Sequence, residues 1–171
     1  MNLEKLKKQW YVLYVSSRQE KKVSQQLLDR GIESYLPLIK TLRVWSDRKK
    51  IVEFPLISGY VFVRIDLVEK DKIFDIPGVV NFVRHEGRPA VVRPTEIDNI
   101  KQLIALGYEI DVVSSQIKIN SGDKVKVKSG IFKDLEGVVL QDKETQYFVV
   151  SISGIGYDLR VKIPGGALMK I

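Results

Sequence analysis

Apolar and polar positions change their period several times along the chain, and each change marks an element. Trp10 to Val15 is an unbroken aromatic, aliphatic and β-branched run, the composition of a buried strand. Ser17 followed by Glu20 has capping-box spacing and predicts a helix start. Val23, Leu27 and Leu28 give that helix an apolar stripe, with Arg18, Lys21, Lys22 and Gln25 largely off it and Gly31 placed to end it. Short apolar runs then flank a charged hairpin at Trp45-Ser46-Asp47-Arg48-Lys49-Lys50, and Gly59 to Ile65 reads as a strong strand. Leu67 to Ile76 has the pattern of a short helix stopped by Pro77-Gly78. Val79–Arg84 and Ala90–Arg93 are two further strands. Thr95 then caps a second amphipathic helix, with Ile97, Ile100, Leu103 and Ile104 inward and Gly107 as its stop.

The remainder has a different texture. Residues 108–118 are irregular and read as a linker. Short strands follow at Asp123–Lys128, Val138–Gln141, Tyr147–Ser153, Tyr157–Ile163 and Leu168–Ile171, a spacing that suits a small barrel. The expected architecture is therefore α+β: an antiparallel sheet with flanking helices over 8–107, the linker, and a small SH3-like β-barrel over 119–171.

Composition narrows the chemistry more than it names it. The 171 residues contain no cysteine and one histidine, His85, so thiolate metal sites, disulfides and Cys–His nucleophiles are excluded. No phosphate-binding loop or nucleophile elbow occurs, and Gly154-Ile155-Gly156 is too short for a dinucleotide fingerprint. The expectation is a protein that is not an enzyme and uses no cofactor or metal. No apolar run is long enough to span a bilayer and the first residues lack a signal-peptide core, so a cytoplasmic monomer without membrane contact is expected. The net charge is +7, and 19 basic against 13 acidic residues lie in 1–106. Any phosphate contact is therefore expected in the N-terminal part.

Two sets of residues carry a resemblance. Gly122 to Val139, GDKVKVKSGIFKDLEGVV, combines a lysine-faced strand with two glycine-marked turns and resembles the KOW motif of transcription and ribosomal proteins. WYVLYVSSRQEKKVSQQL, Pro55-Leu56-Ile57-Ser58-Gly59-Tyr60-Val61-Phe62-Val63, Pro77-Gly78-Val79-Val80-Asn81-Phe82-Val83 and Arg88-Pro89-Ala90-Val91-Val92 resemble, in that order, the NGN domain of NusG-type transcription elongation factors. Two departures point within the family. Ile57-Ser58 replaces the usual Phe-Pro, and Ser153-Gly154-Ile155-Gly156-Tyr157-Asp158 stands where housekeeping members carry a Phe-Gly-Arg loop. The segments PLISGYVFV and GVVNFVRHEGRPAVV look closer to the specialised RfaH- and UpxY-type antiterminators of polysaccharide operons.

The resemblance implies a mechanism without bond chemistry. In this family the NGN domain sits on the clamp helices of the RNA polymerase β′ subunit, and the implied lining here is Tyr14, Ile57, Tyr60, Phe62, Phe82 and Val83. Strand alternation makes some of these core residues instead. Arg18, Lys21, Lys22, Gln25 and Gln26 correspond to the helix face that approaches the non-template DNA strand, although a solvated helix face has the same composition. The KOW barrel would dock a ribosomal protein or the termination factor Rho, with Ile131, Phe132 and Lys133 as its partner surface. The missing Phe-Gly-Arg loop counts against Rho. The competing expectations are a housekeeping NusG that modulates pausing and Rho-dependent termination, and a ribosomal or RNA-binding KOW protein.

Overall fold

In a computed structural model, the structure describes residues 7–107, 109–114, 124–127, 136–142, 145–152, 155–161 and 168–170. The chain forms two compact units, 1–93 and 94–171.

The first unit is built on β1 (Gln9–Val15), which pairs antiparallel with β5 (Tyr60–Ile65) along its whole length. On its other side it pairs with β6 (Val79–Phe82) and β9 (Val91–Val92). The short β2 (Glu33–Tyr35) extends the sheet beyond β5. One face carries Tyr11, Leu13 and Val15 from β1 with Val61, Val63 and Ile65 from β5, all buried in one core cluster. Val23 and Leu27 of α1 (Glu20–Asp29) and Ile73 of α2 (Asp71–Phe74) close that cluster. Trp10, Val12 and Phe62, on the other face, are buried too. Burial on both faces explains why the β1 sequence shows no clean alternation.

Several expectations shift in detail. The segment read as one helix from Leu67 to Ile76 divides into a 3-10 turn at Leu67–Glu69 and the short α2. The Asp66 carboxylate accepts the Val68 N–H at 3.0 Å and so caps the 3-10 turn. The charged hairpin is a two-stranded ribbon of its own, β3 (Leu38–Val44) with β4 (Lys49–Pro55), outside the main sheet. A smaller hairpin, β7 (Arg84–His85) with β8 (Arg88–Pro89), turns through Glu86 and Gly87, both at positive φ.

The second unit begins with α3 (Pro94–Ala105), whose Ile97, Ile100 and Leu103 are buried and whose Ile104 is half-buried. Residues 110–114 do not behave as a linker. They form β10 (Ile110–Ser114), paired in full with β14 (Tyr157–Val161). The antiparallel order is β10-β14-β13-β12-β11-β15, with β11 Lys124–Val127, β12 Glu136–Asp142, β13 Thr145–Ile152 and β15 Leu168–Lys170. Phe148, Val150, Ile152, Leu159 and Val161 are buried, and α3 lies against β13. Gly137 in the KOW-like segment has a packing reason. A Cβ there would lie 2.6 Å from both the Phe148 ring and the Val149 carbonyl oxygen, so the strands approach only because it is glycine. The α+β expectation holds. Ile131, Phe132 and Lys133 lie outside the described residues.

Candidate functional site

The N-terminal glycine motifs converge on the end of β1. Tyr14 and Tyr60 are cross-strand partners, and their rings meet edge to face at 6.1 Å between centroids. Tyr14 is 49% exposed, a large aromatic surface left to solvent. Gly59 sets the ring's position. Its φ is +79°, and a Cβ there would stand 3.2 Å from Tyr14 Cε2, so a side chain would press on the tyrosine. The Gly59 carbonyl accepts the Val15 N–H at 2.8 Å, while its own N–H donates to Glu20 Oε1 at 2.8 Å.

That last contact overturns the capping-box reading. Glu20 is buried and bonded to a residue 39 positions away, and α1 begins after Gln19 without a side-chain cap. Arg18 adopts a positive φ of 63°, which turns the chain just before the helix. On the other side of this corner, the Gly78 carbonyl accepts the Ser16 N–H at 2.8 Å. A Cβ on Gly78 would press on Gln19 and Val23 at 3.1 Å. Gly78 therefore lets the first turn of α1 sit tightly against the loop that follows α2, and Gly59 lets the loop that follows β4 sit tightly against the end of β1. Lys21 and Lys22 leave that turn exposed, with no ion pair among the described residues, and Arg18 is exposed beside them. The aromatic pair and the cationic turn thus share Gly59 as a common support.

The other expected residues part company. Phe62 is fully buried and stacks on Tyr35, its cross-strand partner, at 6.1 Å. Burial also pushes the Tyr35 hydroxyl up to about 12. Phe82 pairs with Leu13 and therefore belongs to the opposite face of the sheet from Tyr14. There it is buried, edge to face with Tyr11 at 5.8 Å and with Phe74 at 5.6 Å. Its neighbour Val83 is half-buried and donates its N–H to Val12 O at 2.8 Å, which puts Val83 on the Tyr14 side. Ile57 is buried. As a solvent-accessible lining, Tyr14, Tyr60 and Val83 remain, whereas Ile57, Phe62 and Phe82 are buried, Phe82 on the opposite face of the sheet.

Along α1, Gln25 is exposed but its amide donates to Asp29 Oδ1 at 2.8 Å, and Gln26 is half-buried. Neither is as free to meet a ligand as the two lysines. The bond between Glu20 and Gly59 is what sequence reasoning missed; a glutamate in a helix's first turn gives no sign of a partner in a distant loop. Among the described residues no group of three acidic or histidine side chains could hold a metal ion, and no helix is long and apolar enough to cross a membrane.

The family profile described as "Transcription termination factor nusG" matches residues 8–101, more than half of the chain and all of the corner just described. The chain belongs to the NusG family. Among proteins of this family, the transcription termination/antitermination protein NusG of Chlamydia trachomatis is 31% identical over 159 residues, covering 85% of this chain and 86% of its own. That of Thermus thermophilus is 28% identical over 150 residues, covering 78% and 82%. A solved structure titled for domain interaction in Thermotoga maritima NusG is 28% identical, covers 97% of this chain and 98% of its own, and superposes with a TM-score of 0.51. NusG-family membership makes this chain a transcription elongation factor.

Proposed function

We propose that the chain binds RNA polymerase through the Tyr14–Tyr60 corner, seating the tip of the β′ clamp helices there. The carrying observation is the tyrosine pair held half in solvent by Gly59, an anchor that gives large contact area at small rotamer cost. Arg18, Lys21 and Lys22 at the adjoining start of α1 supply sequence-independent attraction to the phosphates of the displaced non-template strand. Binding that is tighter to the closed clamp than to the open, paused one shifts the equilibrium toward elongation, the only way a ligand can do so. The KOW-like unit is the adaptor, offering a surface that includes Ile131, Phe132 and Lys133 to a ribosomal protein or Rho. Pull-down with purified polymerase tests the docking: the wild type is retained, and Tyr14→Ala combined with Tyr60→Ala is lost. Retention of the double variant at wild-type yield rejects the site.

Two readings of the output are separated by specific observations. The relatives carry the general NusG name, which supports a housekeeping factor acting on pausing and Rho-dependent termination. Ile57-Ser58 and the Ser153–Asp158 loop without Phe-Gly-Arg support a specialised, operon-restricted antiterminator. In-vitro readthrough with and without Rho divides them. An antiterminator raises readthrough in both conditions, whereas a housekeeping factor raises termination when Rho is present.

A further inference from the structure

Among the described residues of the first unit, Glu20 is the only charged side chain that is buried, at 6% exposure. A buried carboxyl group is costly unless it is hydrogen-bonded, and even then it is a weak source of stability. Capping does not account for it, since α1 starts after Gln19 with no side-chain cap. Its Oε1 instead accepts the Gly59 N–H at 2.8 Å, across 39 positions of the chain. The turn that leads into Tyr60 is otherwise loosely closed, with the Tyr60 N–H donating to Ile57 O at 3.3 Å.

The two ends of this bond lie beside the two contacts of the docking corner. Glu20 is followed by the exposed Lys21 and Lys22, and Gly59 is followed by Tyr60. Gly59 is tied to α1 through its N–H and to β1 through its carbonyl, which accepts the Val15 N–H at 2.8 Å beside Tyr14. Tyr14 and Tyr60 then meet edge to face at 6.1 Å. We infer that Glu20 is a positioning residue, whose bond to Gly59 locks the tyrosine pair and the first turn of α1 into one surface. This role presupposes the docking proposed above, yet Glu20 itself, being buried, touches neither polymerase nor DNA. A surface ordered in advance loses less freedom on binding. Breaking the bond therefore lowers affinity with every contacting side chain still in place.

Two variants of the full chain test this role. Glu20→Ala removes the acceptor, whereas Glu20→Gln keeps an oxygen in the same place. NMR of the free chain comes first. Each tyrosine ring shifts the ring protons of the other, and Glu20→Ala moves those signals toward the values of isolated, exposed tyrosines. Its Gly59 amide exchanges with solvent about tenfold faster, while the amides of Tyr11 and Val63 keep their positions. Glu20→Gln preserves both signatures. The dissociation constant for purified polymerase, without nucleic acid, then closes a double-mutant cycle with Tyr60→Ala. Glu20→Ala weakens binding about tenfold in the wild-type background and adds little once Tyr60 is alanine, because it acts through that ring. Equal losses in both backgrounds overturn the inference, as do unmoved tyrosine signals in Glu20→Ala. A general collapse of the Tyr11 and Val63 signals marks Glu20 as a folding residue and overturns it too. Wild-type affinity in Tyr14→Ala/Tyr60→Ala overturns the docking site instead, and the tyrosine signals still decide whether Glu20 positions the pair.

Discussion

The central β1–β5 pair, with one charged residue, and the β3–β4 ribbon, with five, meet opposite fates. Both are antiparallel pairs rich in aliphatic and aromatic side chains. In the first, Val12, Leu13, Val61 and Phe62 are wholly inaccessible to solvent. In the second, Leu42, Val44 and Ile51 are each more than half exposed. Part of the difference lies in those charges and the rest in the neighbours. β1 is flanked on both sides within its sheet and α1 and α2 cover one face, whereas β3 and β4 pair only with each other. Strand composition therefore reports a capacity to pack, and the surrounding topology decides whether it is used. The two tyrosines sit between these extremes, at the end of a buried strand pair where the sheet gives way to the Gly59 and Gly78 loops.

Stability measurements can break this comparison. Its largest expected effect is at Phe82: replacement by alanine removes an aromatic core from between Tyr11 and Phe74 and costs about 3–5 kcal/mol in chemical denaturation. A cost under 1 kcal/mol would return Phe82 to the surface. Next comes Glu20→Ala, which strands the buried Gly59 N–H and costs about 1–3 kcal/mol. Were Glu20 a simple helix-end charge, its loss would be worth only a few tenths and would fade with salt. Gly137→Ala must push apart a backbone carbonyl and the Phe148 ring, with an expected cost of about 1–3 kcal/mol read in the second unit. Smallest is the ribbon, where Leu42→Ser and Ile51→Ser each stay within about 0.5 kcal/mol.

The elements were more legible in the sequence than their faces. The aromatic run of β1, the stripe of α1 with Gly31 after it, and the Ile97–Ile100–Leu103 face of α3 follow from periodicity and punctuation alone. Which of Phe82 and Val83 faces the tyrosines does not, because it depends on the register of β6 against β1. That pairing carries an irregularity between Tyr14 and Val15. Glu20 misled because the same residue type serves a local cap or a distant backbone donor, and Arg18 at positive φ displaces Ser17 from the capping position. Ile110 to Ser114 read as linker because its strand character is completed by β14, more than forty residues later. The family motifs contain Gly59 and Gly78, the two glycines whose positive φ and close neighbours shape this corner.

The central proposal is that Tyr14 and Tyr60 anchor the protein on RNA polymerase while the more exposed apolar residues of the ribbon do not. The direct measurement is the dissociation constant for purified polymerase, determined in parallel for Tyr14→Ala/Tyr60→Ala and Leu42→Ser/Ile51→Ser, with thermal unfolding as the folding control. The account predicts at least a tenfold loss, about 1.4 kcal/mol, in the tyrosine variant with its unfolding temperature nearly unchanged, and wild-type affinity in the ribbon variant. Full affinity in the tyrosine variant, or a loss confined to the ribbon variant, would contradict it.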